Sequence, residues 1–339
     1  VPPVAATLLI LGLVAITGGI VVFAVRRSFR LVATILVAFG VLATVSGWLL
    51  PESTRADALR TGGLAAGSVV ALYALWLNDR RRHVDEDRQA LDRERAADER
   101  FLRSVELLGS DADQVRVGAL HAMAGLARTR PSYTQDVLDV ICSYLRRPFD
   151  HPEHKNSQKL VDLSEADRWR VVRLTAQRLL ADLLPKVGQP NALAYDLDLT
   201  GATLEYCDLS YRVIGELRAR SLKLHQSNSF HHCEIRGSAW FTETQSWGRL
   251  YLHDMEFHER SWFSHVHAHN IVDFGNTVFH GDTKFANGDY EGPVSFRGAV
   301  FEQNADFSAV TVSRKQQNDL PPGWVADPSG GDKAGLVRA

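Results

Sequence analysis

Several things that would point to catalysis are missing from this sequence. Its three cysteines, Cys142, Cys207 and Cys233, have neither disulfide nor metal spacing, and such usage fits a reducing compartment. There is no Gly-rich phosphate loop with Lys, no HExxH, no paired Cys and no nucleophile–base pair readable from spacing. No enzyme and no cofactor are expected. Net charge is nearly absent too, at -2, so no global field draws the chain to nucleic acid or repels it. Lysine is scarce, 7 against 31 arginines, which fits a GC-rich genome and says little about mechanism. The 339 residues are enough for two or three domains.

Charge is also missing from long stretches near the N-terminus. Residues 4–25 and 31–50 are uncharged and almost wholly apolar, and each suits the roughly 20 residues needed to cross a bilayer. A third stretch, about 61–77, is short and Gly-rich, with Tyr73 and Trp76 suited to an interface. The segment 1–78 therefore reads as a transmembrane region of three helices; two spans plus a surface-lying third segment is the alternative. Arg26, Arg27 and Arg30 follow the first span, and Arg80, Arg81 and Arg82 follow the third. The second loop has only Arg55 and Arg60, offset by Glu52 and Asp57. With three spans, the positive-inside rule places the C-terminal domains in the cytoplasm, on a multi-pass protein of the bacterial inner membrane. A cleaved signal peptide does not fit, because no basic n-region opens the chain and a second span follows. The first residue, Val1, fits a non-Met start codon or an incomplete N-terminus.

Residues 79–108 alternate in charge, with Arg95, Glu99 and Arg103 four apart, and read as a charged juxtamembrane helix. A short coiled coil is weakly supported by Val84 and Leu91. Gly109–Asp111 breaks that helix and can cap the next. In 109–190, Val115, Ala119, Ala122, Met123 and Leu126 form one helical stripe; Val137, Leu138, Val140, Ile141, Tyr144 and Leu145 form another. Val115, Arg116, Ala119, Ala122, Met123 and Leu126 recur 57 residues on as Val172, Arg173, Ala176, Leu179, Leu180 and Leu183, which suggests a HEAT-like helical domain. The "HPEH" at 151–154 could suggest a metal, but two His without a third ligand read as solvated loop residues.

From residue 191 the period changes. Leu199, Leu204, Leu209 and Ile214 fall five apart; residues 215–229 look irregular. Then Phe230, Phe241, Leu252, Phe263, Phe274, Phe285, Phe296 and Phe307 fall eleven apart, with companions at Ile235, Ser246, Phe257, Ala268, Phe279, Tyr290, Phe301 and Val312. Small or β-branched residues precede many of these by two: Ala239, Ser261, Val272, Thr277, Thr283, Val294, Ala299 and Ala305. Eleven is also the period of a right-handed coiled coil. The glycines and Pro293 inside the repeat exclude that reading, at about 1 kcal/mol per Gly and about 3 per Pro in a helix. Short strands and corners remain, with the eight-residue row as a structural ladder.

"LDLTGATLEYCDLS" at 197–210 and "VSFRGAVFEQNADFSAV" at 294–310 resemble pentapeptide-repeat proteins. That resemblance implies a right-handed, four-sided parallel β-helix over 191–312. With the spans, the stem, "ELLGSDADQVRVGALHAMAGLA" and "VVRLTAQRLL", the whole chain resembles membrane-associated bacterial pentapeptide-repeat proteins, which share no common activity. Four sides place outward residues 22 apart on one face, so His258 stacks on His280 and Trp240 on Trp262. These four, with Lys284 and Glu291, are the candidate interaction surface. Residues 313–339, rich in Pro and Gly, read as a disordered tail.

Nine of the thirteen His lie between His225 and His280. In "SHVHAHN" a corner is expected between His265, His267 and His269, so they should splay, and no metal site is assigned. The expected function is a membrane-anchored, non-enzymatic interaction module whose partners are the lipid bilayer and an unknown protein, not nucleic acid. Two alternatives stand beside it. The resemblance allows a duplex-DNA mimic that binds a topoisomerase, and residues 191–312 carry 16 Asp+Glu against 9 Lys+Arg, or -7. The histidines allow a pH- or metal-responsive surface.

Overall fold

In a computed structural model that describes residues 3–25, 30–49, 54–154, 157, 162–329 and 331–339, the chain forms two compact units, Val1–Ala96 and Ala97–Ala339. Arg26 and Arg27 of the basic first loop lie outside the described residues, as does most of the loop between His154 and Asp162.

The first unit contains α1 (Pro3–Val25), α2 (Arg30–Leu49) and the first part of α3 (Arg55–Leu108). Three stretches, Pro3–Ala24, Leu31–Leu49 and Ala56–Asn78, are long and apolar enough to cross a membrane. Helices α1 and α2 pack along small residues: a Cβ on Gly12 or Gly40 would lie 2.7 Å from the other's carbonyl oxygen. Leu11, Val14, Phe39 and Leu64 project outward as a lipid-facing surface would. The expected separate helices at 61–77 and 79–108 are one helix. No Gly or Pro lies between Gly67 and Gly109 to stop it, so the apolar segment continues directly into the charged one.

In the second unit, α4 (Asp113–Thr129) and α5 (Thr134–Leu145) pack with α6 (Leu163–Leu183) around Leu120, Met123, Leu138, Ile141, Val172 and Leu180. The cap of α4 is Ala112, with no side-chain hydrogen bond, rather than a residue of 109–111. The buried α4 stripe keeps the expected Ala119, Met123 and Leu126 but turns away from Val115 and Ala122, which are exposed, and takes in Arg116, Leu120 and Ala124. The turn has a cause in the 57-residue echo. Arg116 lies 4.0 Å over the Trp169 ring and pairs with Asp113, while its counterpart Arg173 lies 4.9 Å over Phe149. Both buried guanidiniums rest on aromatic faces, which partly replace the water they lose.

After α6 the chain winds into a four-sided parallel solenoid of about five turns. Its first coil is 20 residues long, with Thr203 beside Lys223 and Leu204 beside Leu224. Later coils are 22 long, as in Phe257 beside Phe279 and Trp240 beside Trp262. The step from 20 to 22 accounts for the passage at 215–229. The five-beat in fact continues through Ala219 and Leu224, both fully buried, then lengthens to six at Phe230. Small Ala219 hides the beat, and the added residue brings in buried Asn228, whose side chain accepts from Cys207 N and donates to His225 O.

The ladder resolves into interlocked columns. Phe241, Phe263, Phe285 and Phe307 stack at 4.9, 4.9 and 4.7 Å, with ring planes within 7°. Phe257, Phe279 and Phe301 stack at 5.0 and 4.9 Å, and Phe274 and Phe296 at 4.9 Å. Between columns the contacts are edge-to-face: Phe274 meets Phe285 at 5.3 Å and 90°. Each ring thus has the offset-stacked and T-shaped neighbours that its quadrupole favours.

Both ends are covered. At the start, Gln135 exchanges two 2.9 Å hydrogen bonds with the backbone of Asp196, and Arg173 donates to Leu145 O (2.6 Å) and Thr203 O (2.7 Å). At the finish, the expected disordered tail is instead ordered. Lys333–Arg338 pairs antiparallel with Thr311–Ser313 and with Trp324–Ala326, and Trp324 closes on Phe307 at 5.6 Å. A Pro/Gly-rich composition describes a chain that cannot build its own core, but this segment borrows the last rung of the ladder.

Phe285 is fully buried between Phe263 and Phe307. Truncation of Phe285 to Ala should lower solenoid stability by about 3–5 kcal/mol, and Val300→Ala, at an exposed site, by under about 0.5. Denaturant midpoints of the full chain in detergent measure both.

Candidate interaction surface

The six outward residues singled out in the sequence fall on three different sides. One side carries a column of Arg218, Trp240, Trp262, Lys284 and Asp306, each beside the next in register. The two indoles stack at 5.4 Å and 26° and are half-buried. They line a shallow cleft of about 550 Å³ with Arg220, Glu243 and Ser264. The Arg220 guanidinium lies 5.7 Å from the Trp240 ring, and Lys284 reaches Asp306 only at 4.0 Å. The cleft therefore joins apolar area with cations at its edges.

A second side carries His258 and His280, stacked at 5.2 Å. Carboxylates bracket them: Glu234 lies 3.4 Å from His258, and Glu302 lies 2.9 Å from His280. A third side holds Glu291, but not as a free anion. His269 Nδ1 lies 2.6 Å and Lys333 Nζ 3.2 Å from its carboxylate, and these contacts, His269 first, hold its pKa below the usual carboxylate range. His267 and His269 do not splay: their rings are 4.3 Å apart. The corner falls at His265, whose φ is 57°, before both residues, so His267 and Ala268 form one strand that His269 directly follows, and the two imidazoles flank an inward Ala.

The HPEH histidines are not solvated. His151 and His154 are buried where the helical block meets the first coil. His154, His225, Trp247 and His269 form one stacked column at 3.8, 4.8 and 5.8 Å. Beneath it, buried Glu205 lies 2.9 Å from Arg170 and 3.6 Å from His154. Burial alone would raise the Glu205 pKa, but the neighbouring His154 imidazole and the Arg170 guanidinium outweigh it and hold it below the usual range. Coil spacings of 20 and 22 link Glu205, His225, Trp247, His269 and Glu291, so this column was readable once the coil length was known. The docking of His154 was not, because it joins segments about 70 residues apart.

Burial, then the neighbouring His154, pushes the His225 imidazole down to about 4; Glu205 and Asp150 act in the opposite sense and Lys223 in the same one. The sign follows. The unfolded chain takes up this proton near the ordinary 6.5 and the folded chain only near 4, so the contribution is complete above 6.5 and is lost as pH falls to about 4. Its size is on the order of 2–3 kcal/mol. Thermal unfolding from pH 7 to 5 should show a decline that His225→Asn reduces; Glu205 adds its own loss in the carboxylate range below.

Residues 269–311 match a family model described as pentapeptide repeats (9 copies). No curated protein and no solved structure matches the chain. The C-terminal solenoid is a pentapeptide-repeat β-helix, in a chain whose N-terminal unit carries three helices able to span a membrane.

Proposed function

We propose that the protein is a membrane-anchored, non-enzymatic interaction module whose solenoid holds a protein partner on the Trp240–Trp262 side. The stacked, half-buried tryptophans in their cleft carry this reading. Tryptophan and arginine dominate the energetic centres of protein interfaces, and a rigid sheet presents them at little entropic cost. Outward carboxylates interleave with other residues: the Trp240 column runs from Arg218 to Asp306 through Lys284, and the His258 column ends on Glu302. A duplex-DNA mimic needs a continuous line of carboxylates, so a protein partner is favoured over nucleic-acid mimicry. The arginine-rich first loop and the arginines after the third span favour a cytoplasmic solenoid on a multi-pass inner-membrane protein.

Two measurements test this reading. A photo-crosslinker placed at Ser264, beside the indoles, should capture a discrete partner in native membranes. Its affinity should fall at least about 30-fold in Trp240→Ala/Trp262→Ala and hold in His258→Ala/His280→Ala. Unchanged affinity in the tryptophan variant would remove this face from the interface. For topology, burial pushes the thiols of Cys142, Cys207 and Cys233 up to about 12, so they stay protonated and unreactive. An Ala339→Cys variant should then resist an impermeant maleimide in intact cells and react after permeabilisation. Labelling from outside would overturn the cytoplasmic assignment.

A further inference from the structure

Two groups of imidazoles on the solenoid converge closely enough to share a cation: His267, His269 and Glu291, and His231, His232 and His253. Their surroundings separate them. In the first group the Lys333 ammonium already lies 2.7 Å from Asp289 and 3.2 Å from Glu291, supplying the positive charge a metal would bring. The second group has no such competitor among the described residues. The titratable groups facing His231 are His253 and His232 on one hand and Asp208 and Asp254 on the other.

We infer that His231, His232 and His253 form a binding site for a divalent transition-metal ion of the zinc type. The site sits at one corner of the solenoid, where two successive coils present the same positions. His231 and His253 stack at 4.8 Å and 6°, and His232 stands edge-on to both. Each residue offers one ring nitrogen within 4.8 Å of the others, and His231 Nδ1 lies 2.8 Å from His232 Nδ1. Two neutral imidazoles can hold that contact only by one donating its proton to the other. A metal ion takes the proton's place and accepts both lone pairs. With zinc–nitrogen bonds of about 2.0–2.1 Å, ligand nitrogens stand roughly 3.3 Å apart, so small side-chain rotations suffice.

The surroundings suit this role. Asp254 Oδ2 lies 2.7 Å from His253 Nδ1 and 3.7 Å from His232 Nε2. A carboxylate against a ligating imidazole fixes its tautomer and raises its basicity, as metal-binding histidines require. The Tyr211 ring packs on His232 at 4.5 Å from the preceding coil and limits its rotation. Three nitrogens leave one position of a tetrahedral ion to water. This site does not depend on the interaction role of the tryptophan face, which lies elsewhere on the solenoid.

The test uses the full chain in detergent, purified through a tag without histidine and dialysed against low-micromolar Zn²⁺, with bound metal measured by elemental analysis. The wild type should retain about one equivalent. His231→Gln/His253→Gln should bind at least about tenfold more weakly, and Asp254→Asn about tenfold more weakly. His267→Gln/His269→Gln should keep wild-type affinity. Wild-type protein substituted with Co²⁺ should show the intense visible absorption of a tetrahedral ion, which needs no variant to fold. No retained zinc, a Co²⁺ spectrum of octahedral intensity, or equal loss in the two double variants would overturn the assignment.

Discussion

Stacking of the inward side chains at the spacing of the parallel strands is the constraint on which the solenoid depends. Successive coils are held about 4.8 Å apart by their backbone hydrogen bonds. Aromatic rings stack face to face at nearly the same distance, 4.7–5.0 Å in the Phe columns. The ladder and the hydrogen bonds therefore demand one geometry. A residue that leaves the ladder loses ring contacts both above and below, so each rung depends on its neighbours. The same requirement leaves few places where a coil can change length. At Asn228 the backbone gains a residue and a side-chain amide takes over hydrogen bonds that the regular turn would make.

A stack of coils has two open ends, and this chain closes each by a different device. At the start the helical block shares one continuous core with the first coils, and buried Arg173 ties the end of α5 to the strand Thr203–Glu205. At the finish Trp324 extends the ring column and an antiparallel strand covers the edge of Thr311–Ser313. These caps also set what the sides can present. The returning strand delivers Lys333 to Asp289 and Glu291, which neutralises one side, while the Trp240–Trp262 cleft stays open. Coils of constant length turn sequence spacing into spatial adjacency, so each side acquires its own chemistry: indoles with cations, imidazoles with carboxylates, or a corner of three histidines.

Much of this was legible because the signals were periodic. The eleven-beat from Phe230 to Phe307 places every rung inward, and a count of 22 alone pairs Trp240 with Trp262 and His258 with His280. The faults arose where a periodic signal was weak or a partner lay far along the chain. Ala219 carries the beat with a side chain too small to mark it. Val115 appeared to belong to the α4 stripe because an arginine is not expected inside, yet Arg116 is buried against Trp169. A corner between His267 and His269 would splay them, but it lies at His265, before both, and a corner leaves no periodic mark in the sequence.

The sequence by itself determined the apolar spans, the solenoid, its inward ladder and the stacking of residues one coil apart. Each of these follows from a local period or composition that burial makes compulsory. Only the tertiary structure decided what covers the ends, which charges are already paired, and which histidines meet. The burial of His154 over His225, the docking of the C-terminal strand and the convergence of His231, His232 and His253 join segments with no shared period. Such contacts depend on how far each corner turns and where each cap lands, and those are set by packing across the whole unit.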